Sequence, residues 1–235
     1  MVNRFHRKLI YKAFQGRCVL CNCPSFRQLD LCDDCEADLP WLETHCARCA
    51  LPLSTRDSYS ECGRCLSKPP IFTQCLTALR YDFPVDRLIA GFKHHGQLHY
   101  GAVLAMVWLS SIGGDLDELP ELLVPVPIHW RRRWQRGFNQ ATVLADDWGQ
   151  TLGIPVCHAL SHPHATPSQQ NLSAALRQKN IQQAFTFTPD SPIKDKHIAI
   201  VDDVVTTTAT ANTAAAILAR NGARQIDIWC LARTP

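Results

Sequence analysis

Eight cysteines near the start of the chain have the spacing of metal ligands. They form four C-x-x-C pairs; ten residues separate the first pair from the second, and twelve separate the third from the fourth. A C-x-x-C turn brings two thiolates to one tetrahedral Zn²⁺, and a second such turn completes the shell. The sequence therefore predicts two zinc sites. The first would use Cys18, Cys21, Cys32 and Cys35, and the second Cys46, Cys49, Cys62 and Cys65.

A shell of four thiolates leaves no position for water, so both zinc ions are expected to be structural rather than catalytic. Three alternatives stay open: redox-active dithiols or an iron–sulfur cluster in place of zinc, an interleaved pairing of the turns, and Cys23 in place of Cys21 within "CVLCNC". The two-residue gap favours Cys21.

The compartment follows from the same cysteines. The first residues lack the apolar core and small-residue cleavage site of a secretory signal, and no apolar stretch reaches the length of a membrane span. Because cytosolic thiols stay reduced, paired cysteines there bind metal more often than they form disulfides. We therefore expect a cytoplasmic protein with no membrane span.

A second group of residues that could bind a ligand lies in "KHIAIVDDVVTTTAT", residues 196–210. Its apolar run has the character of a buried parallel strand and ends in Asp202 and Asp203; hydroxyl and small side chains then lead into a helix. Ligands bind at the carboxyl ends of parallel strands, and a helix N-terminus attracts phosphate. The carboxylates could accept hydrogen bonds from vicinal ribose hydroxyls, directly or through Mg²⁺. Strand-end and helix capping would explain each half separately but not the combination.

Composition and periodicity supply the elements that would position these residues. The chain has 235 residues, 46% of them hydrophobic and 19% charged, which suits one ordinary domain with a small appendage. Its net charge of +3 is too small to indicate nucleic-acid binding from the total alone. We place a double zinc-ribbon domain with a basic N-terminal arm at residues 1–68, and a larger domain at residues 69–235.

Strands alternate with helices in the larger domain, which predicts a mostly parallel sheet covered on both faces. The predicted strands are "QCLTALRYD", "ELLVPVPI", "HIAIVD" and "QIDIWCLA". The predicted helices are "VDRLIAGFKHHG", residues 99–111, "GFNQATVLADDWGQTLG" and "ATANTAAAILARNG".

Two basic segments have two interpretations each. "WRRRWQRGF" has the arginines and aromatics of a single-strand nucleic-acid platform, but its aromatics could instead pack in the core beside a phosphate-binding loop. The two roles are compatible. The N-terminal arm could form a basic amphipathic helix that packs on the ribbons or contacts nucleic-acid phosphates; its cations are Arg4, Arg7, Lys8, Lys12 and Arg17.

These features together resemble a known family. "IAIVDDVVTTTAT" resembles the phosphoribosyl-pyrophosphate (PRPP) motif of type I phosphoribosyltransferases. Over essentially its full length the chain resembles the ComF/GntX family, the competence protein F group, through the ribbons, "FKHHG", "VPVPIHWRRRWQRGFNQA" and "TPSQQNLSAALRQKN". The resemblance implies a type I phosphoribosyltransferase-like α/β domain behind a double zinc ribbon.

The resemblance also implies roles for individual residues. Asp202 and Asp203 match the pair that holds the ribose hydroxyls of PRPP, with Mg²⁺ as the accompanying ion. Residues 161–173 occupy the place of a lid that closes over substrate. The residues that match the 5′-phosphate loop are Thr206, Thr207, Thr208, Ala209 and Thr210. The candidates for the pyrophosphate loop are Pro125, Val126 and Pro127, with Arg133 and Arg136, and the prolines could support a cis bond.

The chain departs from the family pattern in two places. Thr208 stands where the motif usually has glycine, which is costly for a β-branched residue if the backbone there requires positive φ. His162 and His164 stand where relatives often carry arginine or lysine. Both departures bear on turnover of PRPP more than on its binding.

Three functions remain as hypotheses. The first is a PRPP-binding protein of DNA uptake or utilisation, with single-stranded DNA or a helicase or other DNA-processing protein as partner. The second is a working phosphoribosyltransferase with an unidentified acceptor. The third is a binding module without catalysis, whose cradle has lost its substrate. The sequence shows no identifiable pocket for a purine or pyrimidine, so the acceptor stays open.

Overall fold

The structure is a computed structural model that describes residues 16–54, 60–94, 96–112, 116, 118–163 and 185–235. Its helices are α1 (Asp33–Ala37), α2 (Gly63–Ser67), α3 (Val85–His94), α4 (Leu98–Ile112), α5 (Trp130–Arg136), α6 (Gln140–Leu152) and α7 (Ala209–Arg220). Its strands are β1 (Cys75–Leu76), β2 (Leu79–Arg80), β3 (Leu122–Pro125), β4 (Leu160–Ser161), β5 (Thr186–Phe187), β6 (His197–Val205) and β7 (Gln225–Arg233).

The main sheet is parallel throughout. It has the order β1-β7-β6-β3, with β2 also paired to β7, while β4 and β5 form a separate antiparallel ribbon. Alternate residues of β6 face opposite layers: Ile198 and Ile200 pack in a cluster with α7, whereas Ala199 and Val201 pack in a cluster with α3, α4 and α6. The predicted fold class is confirmed: a parallel sheet with helices on both faces follows a cysteine-rich N-terminal region.

Two predicted strands differ from the observed ones. "QCLTALRYD" forms the two short strands β1 and β2, because the Ala78 carbonyl between them accepts a hydrogen bond from the Leu42 N–H (2.8 Å) instead of continuing the ladder. "HIAIVD" was predicted to end near Asp202, but β6 continues to Val205, which pairs with Arg233 of β7. The predicted helices correspond to α3, α4, α6 and α7, and Gly153 caps α6 with φ of 74°.

The hydrophobic core is continuous across the predicted domain boundary at residues 68 and 69. Cys46 and Cys65 belong to the same buried cluster as Phe72 and as Ile200 of β6. The boundary itself stays a prediction, but the second cysteine cluster packs against the sheet domain.

Two sequence predictions lie outside the described residues. Most of the basic N-terminal arm precedes residue 16, and the predicted lid is described only at residues 161–163. Within the described parts of the chain, no helix combines the length and the apolar character needed to cross a membrane.

Candidate functional site

The eight predicted cysteine ligands converge as two sets of four. Within each set, the Sγ atoms all lie within 4.8 Å of one another; Cys21 and Cys32 are 3.6 Å apart, and Cys49 and Cys62 are 3.7 Å apart. Zinc–sulfur bonds of about 2.3 Å in a tetrahedron require Sγ–Sγ separations of about 3.8 Å, so both sets fit zinc. The structure groups the turns consecutively and brings Cys21, rather than Cys23, into the first set.

In each set the first cysteine has a lowered pKa. Burial opposes ionisation of Cys18, but backbone N–H groups of Cys32, Cys21 and Leu20 outweigh burial and lower its pKa to about 6. Cys46 behaves similarly in the second set, with a pKa of about 7, because nearby backbone N–H groups outweigh its burial. Since the thiolate is the form that binds metal, the backbone favours that form at the first cysteine of each set.

A polar cavity of about 220 Å³ lies at the carboxyl ends of β3 and β6. Its two acidic residues come from β6, its lysine from α3, and its two arginines from α5. The cavity therefore places an acidic edge beside a cationic wall, which suits a ligand that carries both hydroxyl and phosphate groups. The charged lining residues are Asp202, Asp203, Lys93, Arg132 and Arg136.

Asp202 and Asp203 form the acidic edge. Asp202 Oδ1 accepts the Asp203 N–H at 2.9 Å, and Asp203 Oδ1 pairs with Lys93 Nζ at 2.9 Å. Enclosure by protein atoms and the adjacent Asp203 charge raise the pKa of Asp202 to about 7, although the Asp203 N–H and Lys93 partly oppose the shift. Near neutral pH the pair can thus release a proton when a cation arrives.

Arg136 and Arg132 form the cationic wall. Arg136 Nη1 donates to Gln140 Oε1 at 3.1 Å, and buried Gln140 donates through Nε2 to the Lys93 carbonyl at 3.4 Å. Burial lowers the pKa of Arg136; Asp203 opposes that shift and Arg132 adds to it. An arginine in this setting stays charged. Gln140 thereby fixes the cationic wall relative to the lysine that faces the acidic edge.

The Val-Pro segment covers one side of the cavity. Asn139 caps α6 by accepting the Ala141 N–H at 3.2 Å, and its Nδ2 donates to the Val126 carbonyl at 2.9 Å, which ties the segment to α6. The peptide bonds before Pro125 and Pro127 are trans; among the described residues the cis bond is Phe83–Pro84.

The predicted pyrophosphate residues divide between two surfaces. Val126, Pro127 and Arg136 line the cavity. Pro125 and Arg133 line a neighbouring groove, and Arg132 takes the cavity-facing position that sequence reasoning gave to Arg133. The rotation of α5 about its axis decides between adjacent arginines, and the sequence of so short a helix does not specify that rotation.

Residues 206–208 connect β6 to α7, and residues 206–210, which were predicted to bind phosphate, are here called the phosphate loop. Thr210 lines the cavity with the aspartates, whereas Thr207, Thr208 and Ala209 line a second cavity of about 590 Å³ between α2 and α7. Thr206 lies exposed between the strand and these residues.

Thr208 has the left-handed backbone conformation that a glycine, the usual residue of the motif at this position, adopts readily. Its φ is +61° and ψ −2°, in the left-handed region, although it is β-branched and buried. Asn212 donates from Nδ2 to Thr208 Oγ1 at 3.4 Å and from its backbone N–H to the Thr208 carbonyl at 2.8 Å. The positive φ on which the sequence argument depended is therefore present, held by contacts with α7.

The aromatics of "WRRRWQRGF" are not core residues as a group. Trp130 and Trp134 of α5 are 60% and 85% exposed, and the Arg131 guanidinium carbon lies 5.3 Å from the centroid of the Trp130 ring. Phe138 instead packs on Phe92, with ring centroids 5.5 Å apart. Core packing thus accounts for Phe138 and leaves two tryptophans facing solvent beside several arginines.

The histidine predicted at the lid lies at the cavity. His162 and His129 both line it, and their ring centroids are 5.5 Å apart. His129 is also the N-cap of α5, since its Nδ1 accepts the Arg131 N–H at 3.3 Å. His164 lies outside the described residues.

Sequence reasoning missed four residues that shape the cavity. Lys93 lies within "FKHHG", which carried the family resemblance but no assigned role. Arg132 is adjacent to Arg133, the arginine that the sequence favoured. Asn139 before an alanine-containing helical pattern is a recognisable N-cap signal that also marks the site. Gln140 had no local signal, because its role depends on contacts with α3 and α5.

Comparison with known proteins places this architecture in a family. The double zinc ribbon domain model matches residues 10–66. DNA utilization protein YhgH of Escherichia coli K12 is 35% identical over 225 residues, covering 93% of this chain and 97% of the relative. The chain therefore belongs to the YhgH/competence protein F family. Competence protein F of Haemophilus influenzae is 29% identical over 227 residues (94% of this chain, 98% of the relative), and ComFC of Bacillus subtilis is 22% identical over 209 residues (87% and 84%).

Solved structures that match this member of the YhgH/competence protein F family include a purine phosphoribosyltransferase and a glutamine PRPP amidotransferase. Purine phosphoribosyltransferase from Pyrococcus horikoshii matches with a TM-score of 0.33 and 19% identity, covering 68% of this chain and 79% of that one. Glutamine PRPP amidotransferase from B. subtilis matches with a TM-score of 0.36 and 18% identity, covering 56% and 25%.

Proposed function

We propose that this protein binds Mg-PRPP, or another ligand containing ribose 5-phosphate, in the cavity at the end of β6. The proposal rests on one observation: Asp202 and Asp203 line the same cavity as Arg132 and Arg136. Carboxylates accept hydrogen bonds from a vicinal diol, and arginines pair with phosphate oxygens, so the two halves match the two halves of the ligand.

The phosphate loop would complete the site. The first turn of α7 has N–H groups without helical partners and the positive end of the helix dipole, which favour the 5′-phosphate. Lys93 pairs with Asp203, so ligand binding would redistribute this lysine between the carboxylate and the phosphates. Mg²⁺, when bound with PRPP, would neutralise phosphate charge beside the aspartates.

The binding test is calorimetry with Mg-PRPP. We expect saturable binding that is lost when Asp202→Asn and Asp203→Asn are combined, while Asp146→Asn, an exposed acid on α6, binds like the wild type. The same titration at pH 7 in buffers of different ionisation enthalpy should show proton release that disappears with Asp202→Asn, because the pKa of Asp202 is raised to about 7. Absence of binding by the wild type would overturn the proposal.

We further propose that α5 binds single-stranded DNA, which would give the protein a role in DNA uptake or utilisation. Exposed Trp130 and Trp134 offer faces on which bases can stack, and Arg131 and Arg133 lie outside the charged cavity, where they can pair with phosphates. The names of the relatives, DNA utilization protein and competence protein, agree with this role. The partner class that we propose is a helicase or another DNA-processing protein. The proposed compartment is the cytoplasm, because cysteines that bind zinc must stay reduced.

The DNA proposal is tested by salt-dependent binding of an unstructured oligonucleotide. Replacing Arg131 and Arg133 by glutamine should remove about two phosphate contacts and reduce the slope of log K against log salt by about 1.4. Trp134→Ala should weaken binding by about tenfold or more through lost stacking, and Gln135→Ala on the same helix should not. If Trp134→Ala binds the oligonucleotide as tightly as Gln135→Ala does, α5 is not part of the DNA-binding surface.

Transfer of the phosphoribosyl group is a second candidate function. In that reaction an acceptor would attack C1′ of PRPP as pyrophosphate leaves, and Arg132 and Arg136 would stabilise the departing charge. The arrangement of cationic wall and acidic edge favours it, whereas Thr208 at positive φ costs loop stability. Pyrophosphate release, screened against bases and nucleic acids, tests turnover separately from binding.

A further inference from the structure

A buried guanidinium joins the phosphate loop to the second zinc site. Arg233, the last residue of β7, is 1% exposed. Its Nε donates to the carbonyl of the zinc ligand Cys49 at 2.9 Å, while its Nη1 donates to the Val205 carbonyl at 3.1 Å and to the Thr206 carbonyl. One side chain thus holds both the metal-binding turn and the first residue of the phosphate loop.

The partners of Arg233 are carbonyl groups and the Thr234 hydroxyl rather than a counter-ion. No carboxylate in the described part of the chain forms an ion pair with it. Its Nη1 also donates to the carbonyl of Thr234, whose N–H in turn donates to the Val205 carbonyl at 3.1 Å. A buried cation depends on such bonds to offset its lost hydration, so these contacts are expected to keep a fixed geometry.

A second connection runs through Asn212 in the first turn of α7. Its Oδ1 accepts the N–H of Ile71, in the segment that follows the last cysteine of the second site, at 3.0 Å. Its Nδ2 and backbone N–H donate to the side chain and the carbonyl of Thr208. The residue with positive φ is therefore attached, through one asparagine, to the chain leaving the zinc site.

Between these two connections the loop is not packed on the zinc ribbon. The 590 Å³ cavity separates Arg64 and Lys68 on one side from Thr207 and Thr208 on the other. At this cavity hydrogen bonds connect the loop to the ribbon, while Val205 and Ala211 on either side of the loop pack in the same buried cluster as Cys49. A backbone conformation such as that of Thr208 persists only where its surroundings enforce it.

We propose that Arg233 is a positioning residue that couples zinc at the second site to the shape of the phosphate loop. Zinc bound by Cys46, Cys49, Cys62 and Cys65 fixes the Cys49 carbonyl, and Arg233 transmits that position to Val205 and Thr206. Zinc at this site then raises the affinity of the loop for a phosphate-bearing ligand, and by reciprocity the ligand slows the loss of this zinc. The ligand part of the inference rests on the function proposed above, whereas the coupling itself does not.

The first test needs no ligand. Hydrogen exchange of the Thr234 and Asn212 amides, which donate to the Val205 and Thr208 carbonyls and so report on the loop, is compared between wild type and Arg233→Met, which keeps the apolar stem but removes the donors. We expect exchange at least tenfold faster in the variant, with two zinc ions retained. Arg80→Met is the matched control, because Arg80 lies beside Arg233 in the neighbouring strand but is exposed. If Arg233→Met does not fold, Arg233→Lys and Asn212→Ala provide the same comparison; unchanged loop exchange in a folded variant overturns the coupling.

The second test adds Mg-PRPP. Saturating ligand should slow release of the second zinc to a chelator severalfold in the wild type and Arg80→Met, but not in Arg233→Met, and should leave release of the first zinc unchanged. Affinity for Mg-PRPP should fall about tenfold or more in Arg233→Met.

The outcomes separate the two proposals. If the wild type binds no Mg-PRPP but removal of the second zinc and Arg233→Met each speed loop exchange, the proposed function is wrong and the coupling stands. If the wild type binds Mg-PRPP through the aspartates but Arg233→Met matches it in affinity, loop exchange and zinc release, the coupling is wrong and the proposed function stands.

Discussion

The two zinc sites have the same ligands but different relations to the rest of the molecule. In the first site Cys18 is buried, Cys21 is exposed, and the other two ligands are half-buried. In the second site all four cysteines are buried and belong to the core cluster of the sheet. The first site therefore lies at the edge of the structure, whereas the second is part of the body that carries the cavity.

This difference teaches that a zinc ribbon can be an attached module or part of a domain core, and that ligand spacing does not distinguish the two. Leu29, Leu31 and Leu39 attach the first ribbon to the layer containing α3. The second ribbon adds hydrogen bonds from Arg233 to the apolar contacts, and those bonds reach the phosphate loop.

The largest expected effect is on global stability. Structural zinc binding is worth about 10 kcal/mol or more in small zinc domains, comparable to the whole stability of a typical domain. Cys62→Ser should therefore disrupt the sheet core, whereas Cys21→Ser should leave it folded. Near-ultraviolet circular dichroism of the buried cluster of Trp108, Trp148 and Trp229 reports the difference. Equal loss of this signal in both variants would contradict the distinction.

A kinetic difference should follow from exposure. Because Cys21 is exposed and the second site is enclosed, a thiol-reactive reagent should release the first zinc at least about tenfold faster than the second. Two release phases measure this, and the fast phase is assigned to the first site by its loss in Cys21→Ser. A single phase for both ions would mean that burial does not protect the second site.

The cavity that contains Asp202 should also respond to pH. The pKa of Asp202 is raised from its ordinary value to about 7 in the folded protein, so ionisation of this group disfavours folding. Its contribution to stability should therefore decrease as pH rises towards about 7 and level off above that value. Denaturant unfolding between pH 5.5 and 8 should show this decrease in wild type and Cys21→Ser but not in Asp202→Asn. A parallel pH profile for Asp202→Asn would contradict the assignment.

The smallest expected effect concerns Thr208. A left-handed conformation costs an L-residue about 1–2 kcal/mol, and glycine costs about 0.5–1 kcal/mol through unfolded-state entropy, so Thr208→Gly should stabilise the protein by about 0.5 kcal/mol. Thr207→Gly, which has only the entropic cost, should destabilise it. Chemical denaturation measures both changes. The gain from Thr208→Gly should disappear in an Arg233→Met background, where the loop can relax; persistence of the gain would show that Arg233 does not maintain the conformation.

Local patterns were sufficient for part of this structure. C-x-x-C spacing predicted the two converging sets of four cysteines because each turn contributes two of them from adjacent backbone. The apolar run before Asp202 and the alanine-rich helix predicted β6 and α7, since burial on both faces and helical periodicity are visible in sequence.

Tertiary contacts determined what the sequence could not show. Arg132 rather than Arg133 faces the cavity because of how α5 is oriented, and Gln140 matters because it contacts two other helices. The coupling through Arg233 joins residues 184 positions apart in the chain, and no local pattern indicates it.

The most direct test of the account is a crystal structure of the protein with Mg-PRPP, with anomalous data collected at the zinc edge. We predict two zinc ions in the two cysteine sets, ribose hydroxyls on Asp202 and Asp203, the 5′-phosphate on residues 206–210, and Arg233 bonded to the Cys49 and Thr206 carbonyls. PRPP bound away from the aspartates, or a phosphate loop with no contact to Arg233, would contradict it.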